Sequence, residues 1–146
     1  SAAIEAGQTG HAVYATCHTT GVAATIRRMV STFEPSERTE RAFALMETIR
    51  LIVTQTLVPK IGGGRVALRE YMAFTEEIRE QLLGMTFDRW PVELMNMVSK
   101  HGKTMEKSAR DAFNAGLIER RHYLLYAAGS KEAQNVGETD GTAGGH

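Results

Sequence analysis

A short β-type run followed directly by an amphipathic helix constrains the fold of this chain more than any other feature. Residues 11–17 form a short run that contains β-branched and aromatic residues, which is typical of a buried strand. The polar turn at 18–21 offers several candidate helix caps. Beyond it, apolar residues recur at the spacing of one helical face: Val22, Ile26, Met29, Val30 and Phe33. A strand, a turn and a helix in this order indicate an α/β fold.

Composition excludes several classes of protein. The chain has 146 residues, 42% of them hydrophobic, which suits one ordinary domain or a piece of a larger protein. Because it begins at Ser1 and not at Met, we expect a fragment. Seventeen basic and seventeen acidic residues give a net charge of zero, which does not attract the chain as a whole to nucleic acid. No direct nucleic-acid partner is therefore predicted. A single cysteine, Cys17, excludes a disulfide scaffold. No apolar run approaches about 18 residues, so no transmembrane segment is predicted.

The rest of the chain changes from mixed to helical character near residue 75. A second helix is predicted after Ser36, and the run 51–58 suits a helix end, a strand or both in succession. Three glycines at 62–64 separate that run from a second β-type run at 65–74, which predicts a hairpin. Helices are predicted from Thr75 onward, the last over 117–128, and 129–146 reads as a disordered tail.

Two glycine-containing segments imitate phosphate-binding loops. Gly102-Lys103-Thr104 has the last three letters of a P-loop, but Met97 stands where the motif requires another glycine, and a helix precedes it in place of a strand. A helix N-cap after a turn is therefore predicted there. The glycines at 62–64 lack a following Lys-Ser/Thr pair, which favours a hairpin turn.

The stronger candidate site follows the first strand. Ligands gather at the carboxyl ends of strands in open α/β sheets, where Thr16, His18 and Thr19 would lie. His18 there would donate to a phosphate oxygen or orient a water molecule. Periodicity alone also allows His18 to be a loop residue bonded to backbone, and His11 to be a histidine that holds a loop. The histidines lack metal-ligand spacing, so no metal site is predicted.

The segment 9–19, Thr-Gly-His-Ala-Val-Tyr-Ala-Thr-Cys-His-Thr, resembles the His box of the secretion ATPase superfamily, which includes the PilT pilus retraction ATPases and the type II and type IV secretion ATPases. The similarity continues in order through residues 25–28, 41–50, 55–59, 64–67, 77–79, 104–106 and 116–118. The amino-acid sequence at 69–71 and 74–79, together with Trp90-Pro91, looks most like that of DotB-type ATPases of Dot/Icm type IVB secretion and their TraJ-type relatives of IncI conjugation.

The resemblance implies a RecA-like P-loop NTPase core followed by a helical C-terminal domain, in a cytoplasmic homohexamer attached to an inner-membrane secretion or conjugation complex through protein partners. It implies that His18 faces the γ-phosphate of ATP with Thr16 in support, and that Thr19, His11 and Arg28 belong to the same neighbourhood. The implied division is a partial core at 1–74, a helical domain at 75–128 and the tail at 129–146.

The family's P-loop, acidic box and Walker B segment would all precede Ser1, so the chain resembles only the C-terminal half. ATP and Mg²⁺ are expected in the intact enzyme, whereas the isolated chain is expected to be inactive and to bind no cofactor. The alternative is a non-catalytic assembly module of such a machine. We also expect apolar residues of the incomplete sheet to lack cover, namely Val13, Tyr14, Ile52, Val53 and Leu68. The helices of 75–128 are expected to fold more independently.

Overall fold

The computed structural model describes the backbone of residues 13–17 and the whole of residues 21–127. The strands are β1 (Val13–Cys17), β2 (Ile49–Pro59) and β3 (Arg65–Ala73), and the helices are α1 (Val22–Ser31), α2 (Arg38–Thr48), α3 (Glu76–Leu83), α4 (Trp90–His101), α5 (Met105–Asn114) and α6 (residues 120–127). This mixture of strands and helices, with helices and no further strand between β3 and residue 127, confirms the predicted α/β class and its helical part. The predicted tail lies outside the described residues.

The three strands form one sheet in the order β1-β2-β3. β1 runs parallel to β2, so that Cys17 lies opposite Thr54, and β2 runs antiparallel to β3 from Leu51 opposite Ala73 to Pro59 opposite Arg65. The run at 51–58, which sequence left open between helix and strand, is strand throughout. Pairing decides its conformation: residues 51–54 pair with both β1 and β3, and 55–58 pair with β3.

The predicted glycine turn closes the long hairpin. Gly62, Gly63 and Gly64 have φ values of +89°, +116° and +77°, a region that residues with a β-carbon rarely adopt. Their position in the turn between β2 and β3, as predicted, explains the three glycines without a phosphate-binding role.

The larger of two apolar clusters joins helices that precede and follow residue 74. Its buried members include Ile26 of α1, Met46 of α2, Ile52 of β2 and Trp90 of α4. Ile52 is fully buried, which corrects the expectation that it lacks cover: α1 packs against β2 and β3 at this end of the sheet, and residues of α2 and α4 belong to the same cluster. α4 packs in the same cluster as α1, so helices on both sides of residue 74 share apolar contacts, and the independent folding of 75–128 stays a prediction.

The smaller cluster lies at the distal end of the hairpin. Val58 of β2 and Leu68 of β3 are buried there against α5 and Ile118. Leu68 is only 1% exposed, so the expectation that it lacks cover was also wrong. Val53, for which the same was expected, is half-buried. Side chains of Val13 and Tyr14 lie outside the described part.

Two of the later helices begin at their predicted signals, and the last does not. The Thr75 hydroxyl accepts a hydrogen bond from Ile78 N–H (3.3 Å) and caps α3, and Pro91 stands in the first turn of α4. The last helix begins at residue 120 and not at 117. Its expected first residue, Leu117, is used elsewhere, because its carbonyl accepts Ile61 N–H (2.8 Å) from the tip of the hairpin.

Candidate functional site at the carboxyl end of the parallel strands

The predicted site residues divide into those that the structure describes and those that it does not. Thr16 lies in β1 with its backbone opposite Val53 of β2. Arg28 lies exposed in the last turn of α1, where its carbonyl accepts the Ser31 hydroxyl (2.8 Å). His11, His18 and Thr19 lie outside the described residues, as does the Thr16 side chain. Their contacts with one another therefore stay predictions.

The backbone around these residues is arranged as the sequence predicted. β1 ends at Cys17, and α1 begins at Val22, five residues after it. Gly21 fixes the start of α1: its N–H donates to the Thr54 hydroxyl (3.2 Å), and its carbonyl accepts the Thr25 hydroxyl (2.8 Å). Thr54 lies opposite Cys17, so the end of β1 and the start of α1 meet at the same residue of β2.

A carboxylate from β3 caps α1. Oε2 of Glu70 accepts Val22 N–H (2.6 Å), and Oε1 accepts Met105 N–H (3.1 Å) at the first residue of α5. The turn at 18–21 was expected to supply its own cap, but the N-cap is Gly21, which has no side chain to do so. At Gly21, with φ +119°, an added β-carbon would lie 2.9 Å from Glu70 Oε2. The carboxylate occupies the space that a local cap would need.

Glu70 shows no local sequence signal for this role, because its partners are 48 and 35 residues away along the chain. The available signal was indirect. α1 has no acidic residue in its first turn, and helices commonly have an anion or capping oxygen there.

The second P-loop imitation is structural, as predicted. Gly102 is extended and packs against β3, the backbone of Lys103 pairs with that of Tyr71 (3.0 and 2.9 Å), and the Thr104 hydroxyl caps α5 by accepting Lys107 N–H (3.1 Å). The Lys103 ammonium lies 3.1 Å from Asp111 Oδ2. A hydrogen bond from Lys103, helped by the charge of Lys107, lowers the pKa of Asp111. The lysine is therefore engaged by a carboxylate within α5.

Arg79 closes the junction between β3 and α3. Its guanidinium donates to the carbonyl of Phe74, and Phe74 N–H donates to the carbonyl of Arg50 (2.8 Å) at the start of β2. Partial burial, followed by the nearby charge of Arg50, lowers the pKa of Arg79. Because an arginine side chain loses its proton only far above neutral pH, Arg79 stays charged. This arginine of the family-like segment 77–79 thus ties the sheet to the first helix after it.

Other surfaces offer less chemistry. An open depression of about 520 Å³ lies between α2 and the 3₁₀ turn Phe87–Arg89, and Asp88 is the one charged residue in its lining. Within residues 21–127, no group of three or more His, Cys, Asp or Glu side chains is placed to hold a metal ion. No helix in the described part is both long and apolar enough to cross a membrane.

Comparison with known proteins gives several sequence relatives. Residues 1–63 match the family described as type II/IV secretion system protein. The chain is 46% identical over 77 residues to the type IV pilus retraction ATPase PilT of Pseudomonas aeruginosa. These residues are 53% of this chain and 22% of PilT. It is 30% identical over 117 residues to a twitching motility protein of Neisseria gonorrhoeae, covering 80% of this chain and 31% of that protein.

Solved structures agree. The ATPase DotB of Legionella pneumophila superposes with a TM-score of 0.79 at 44% identity, over 86% of this chain and 34% of DotB. DotB of Yersinia pseudotuberculosis gives 0.79 at 36% identity, over 86% and 32%. The pilus retraction motor PilT with bound ADP gives 0.70 at 27% identity, over 86% and 35%. The chain spans about a third or less of each of these proteins. The chain is thus similar in sequence and in fold to secretion ATPases, which confirms the resemblance seen in its sequence.

Proposed function

We propose that this chain is the C-terminal portion of a hexameric ATPase that powers type IV secretion, plasmid conjugation or type IV pilus dynamics by ATP hydrolysis. The observation that carries the proposal is the match to the ATPase DotB, at 44% identity and a TM-score of 0.79 over 86% of the chain. Identity and fold agree over the same long stretch, so the likeness extends well beyond one motif.

In this proposal the chain supplies only part of the catalytic machinery. Gly102-Lys103-Thr104 does not form a phosphate-binding loop, because it is a helix cap packed on β3. The P-loop, the catalytic acid and the residues that hold Mg²⁺ therefore belong to the remainder of the intact protein. ATP and Mg²⁺ bind there, and the hydrolysed phosphate faces the end of β1.

His18 is the residue of this chain that we assign to the γ-phosphate. It follows Cys17, the last residue of a strand parallel to β2, and precedes the N-terminus of α1, which is where ligands collect in open α/β sheets. Thr16 supports it from the strand, and Thr19 lies one residue further toward the helix. His11 and Arg28 belong to the same neighbourhood, with Arg28 at the far end of α1.

The proposal includes the assembly and its place in the cell. Residues 1–74 are the end of the ATPase core, 75–128 a helical domain and 129–146 a tail; the last strand ends at Ala73, and helices follow. Six copies form a cytoplasmic ring, held at the inner membrane by partners of a secretion or conjugation complex.

The test uses the full-length product of the gene. His18→Ala should reduce kcat for ATP by roughly ten- to a thousandfold, the range for loss of one transition-state donor, while nucleotide affinity changes little. His101→Ala, at the exposed end of α4, is the matched control and should retain turnover. A wild-type protein that assembles with secretion components yet hydrolyses no ATP would instead support a non-catalytic assembly module.

A further inference from the structure

The two oxygens of one carboxylate bind the starts of two helices that are far apart in sequence. We infer that Glu70 is a positioning residue that holds the start of α1 in a place set by α5. Oε2 bonds to Val22 N–H at 2.6 Å, and Oε1 bonds to Met105 N–H at 3.1 Å. The link of this residue to turnover rests on the proposed function, whereas the coupling of the two helices does not.

Each bond is of the strong kind. An ionised carboxylate bonded to backbone N–H groups makes charge-assisted hydrogen bonds, and both helix N-termini present their positive ends to it. Glu70 is half-buried, which limits competition from water. The Thr104 hydroxyl is bonded to Lys107 N–H, so the first N–H of α5, that of Met105, is left to Glu70.

The start of α5 is fixed on β3 independently of Glu70. The backbone of Lys103 makes two hydrogen bonds to that of Tyr71, at 3.0 and 2.9 Å, one residue along the strand from Glu70. These bonds bring Met105 to the carboxylate.

The start of α1 is held from two sides. The Thr54 hydroxyl accepts Gly21 N–H and donates to the carbonyl of Glu70 (3.1 Å), while the Glu70 carboxylate takes Val22 N–H. Gly21 and Val22 are therefore positioned by side chains of β2 and β3, and one of these side chains also binds α5. Displacement of α5 has to stretch one of the two carboxylate bonds, so the start of α1 responds to it.

The direct test follows the exchange of single amide hydrogens in the full-length protein. Thr104→Ala removes the cap of α5 without touching α1. We expect the Val22 amide to exchange about threefold faster, because a lost cap loosens the first turn of its helix and Glu70 transmits the change. Thr75→Ala is the matched control, since Thr75 caps α3 in the same way but has no contact with Glu70. Equal Val22 exchange rates in the two variants would overturn the inference.

Substitution of Glu70 completes the cycle. In Glu70→Gln, one oxygen is replaced by an NH₂ group that cannot accept, so one of the Val22 and Met105 amides loses its acceptor and should exchange roughly tenfold faster. Adding Thr104→Ala to this variant should then leave Val22 exchange unchanged. A further acceleration as large as in the wild-type background would mean that the coupling runs through other contacts.

Measurements of kcat and KM distinguish two roles of Glu70: binding both helices at once, or supplying a negative charge alone. Glu70→Asp keeps the charge but is one methylene too short to reach both helices. We expect both Glu70→Asp and Glu70→Gln to lower kcat roughly tenfold or more with KM within about twofold, as when a catalytic group is misplaced and substrate binding is kept. Glu106→Gln, which changes a carboxylate in the same first turn of α5, should keep wild-type kcat.

Full activity in Glu70→Asp would overturn the positioning role. Absence of turnover in the wild-type protein would instead refute the proposed function, and the amide exchange rates would still decide whether Glu70 couples the helices.

Discussion

The carbonyl oxygen of Tyr71 lies 2.2 Å from the point that a β-carbon on Gly102 would occupy. The same β-carbon would also lie 3.1 Å from Cβ of Met72. Glycine is required here by close approach and not by an unusual backbone, since Gly102 is extended. This contact allows residues 102 and 103 to lie against β3.

Gly102→Ala should therefore destabilise the protein by about 3 kcal/mol, because backbone at this distance has to move apart. Urea denaturation followed by circular dichroism measures the change. Gly84→Ala is the control: Gly84 has φ −84°, and its added β-carbon would lie 3.3 Å from the Glu80 carbonyl, so we expect a change below about 1 kcal/mol. Equal losses in the two variants would contradict the packing argument.

Asp111 gives a prediction for acid stability. Its pKa is lower in the folded state than the unfolded value of about 3.9, because Lys103 donates to it and Lys107 lies 3.5 Å away. A lowered carboxylate pKa stabilises the fold above the unfolded pKa, and this contribution is lost as pH falls through the folded pKa.

Wild-type protein should thus exceed Asp111→Asn in stability at pH 7, and the difference should shrink below about pH 4. Thermal unfolding between pH 2 and pH 7 tests this. Because the pair is exposed, 1 M NaCl should reduce the difference at pH 7. In a Lys103→Ala background Asp111→Asn should have less effect; an undiminished effect would assign the lowered pKa to another group.

Trp90 is held from three directions in the larger cluster. Its indole N–H donates to the Leu82 carbonyl (2.8 Å), its ring stacks on Phe43 at 5.4 Å, and Phe87 meets it edge-on at 5.2 Å. Trp90→Phe should cost about 2 kcal/mol from lost packing and one lost hydrogen bond. Because Trp90 is the single tryptophan of the chain, the variant has no tryptophan fluorescence, so unfolding in denaturant is followed by circular dichroism. A loss below about 0.5 kcal/mol would mean that the site collapses around the smaller ring.

The two apolar clusters should respond independently to truncation. Ile26→Ala in the larger cluster and Leu68→Ala in the smaller one should each cost about 2–5 kcal/mol, since both side chains are almost fully buried. In the double variant the two losses should add within about 0.5 kcal/mol, because the clusters share no member. An interaction energy above about 1 kcal/mol would show that the hairpin carries strain between them.

Local signals predicted what depends on local physics. The helical spacing of Val22, Ile26 and Val30, the threonine caps at 75 and 104, and the glycine turn all appear in the structure as expected. The conformation of the run at 51–58 could not be decided from the sequence, because its alternatives differ only in which other strands it meets.

The errors have a common cause in long-range packing. Ile52 and Leu68 were expected to be bare because sequence cannot tell which helices lie over a sheet, and they are buried in clusters that contain residues of α1, α2 and α5. Glu70 was missed because a charged residue in a strand ordinarily faces solvent, and only the folded chain brings Val22 and Met105 to it. The roles of His18, Thr16, Thr19, His11 and Arg28 stay predictions.

The hairpin of β2 and β3 also has a mechanical consequence. One end is packed under α1, and the other carries its own apolar cluster with α5. Eleven residues of β2 span roughly 35 Å, so a tilt of about 10° at the anchored end displaces the distal end by roughly 6 Å. A small angular change beside the parallel strands is thereby amplified into a movement as large as a helical turn, at a surface far from where it began.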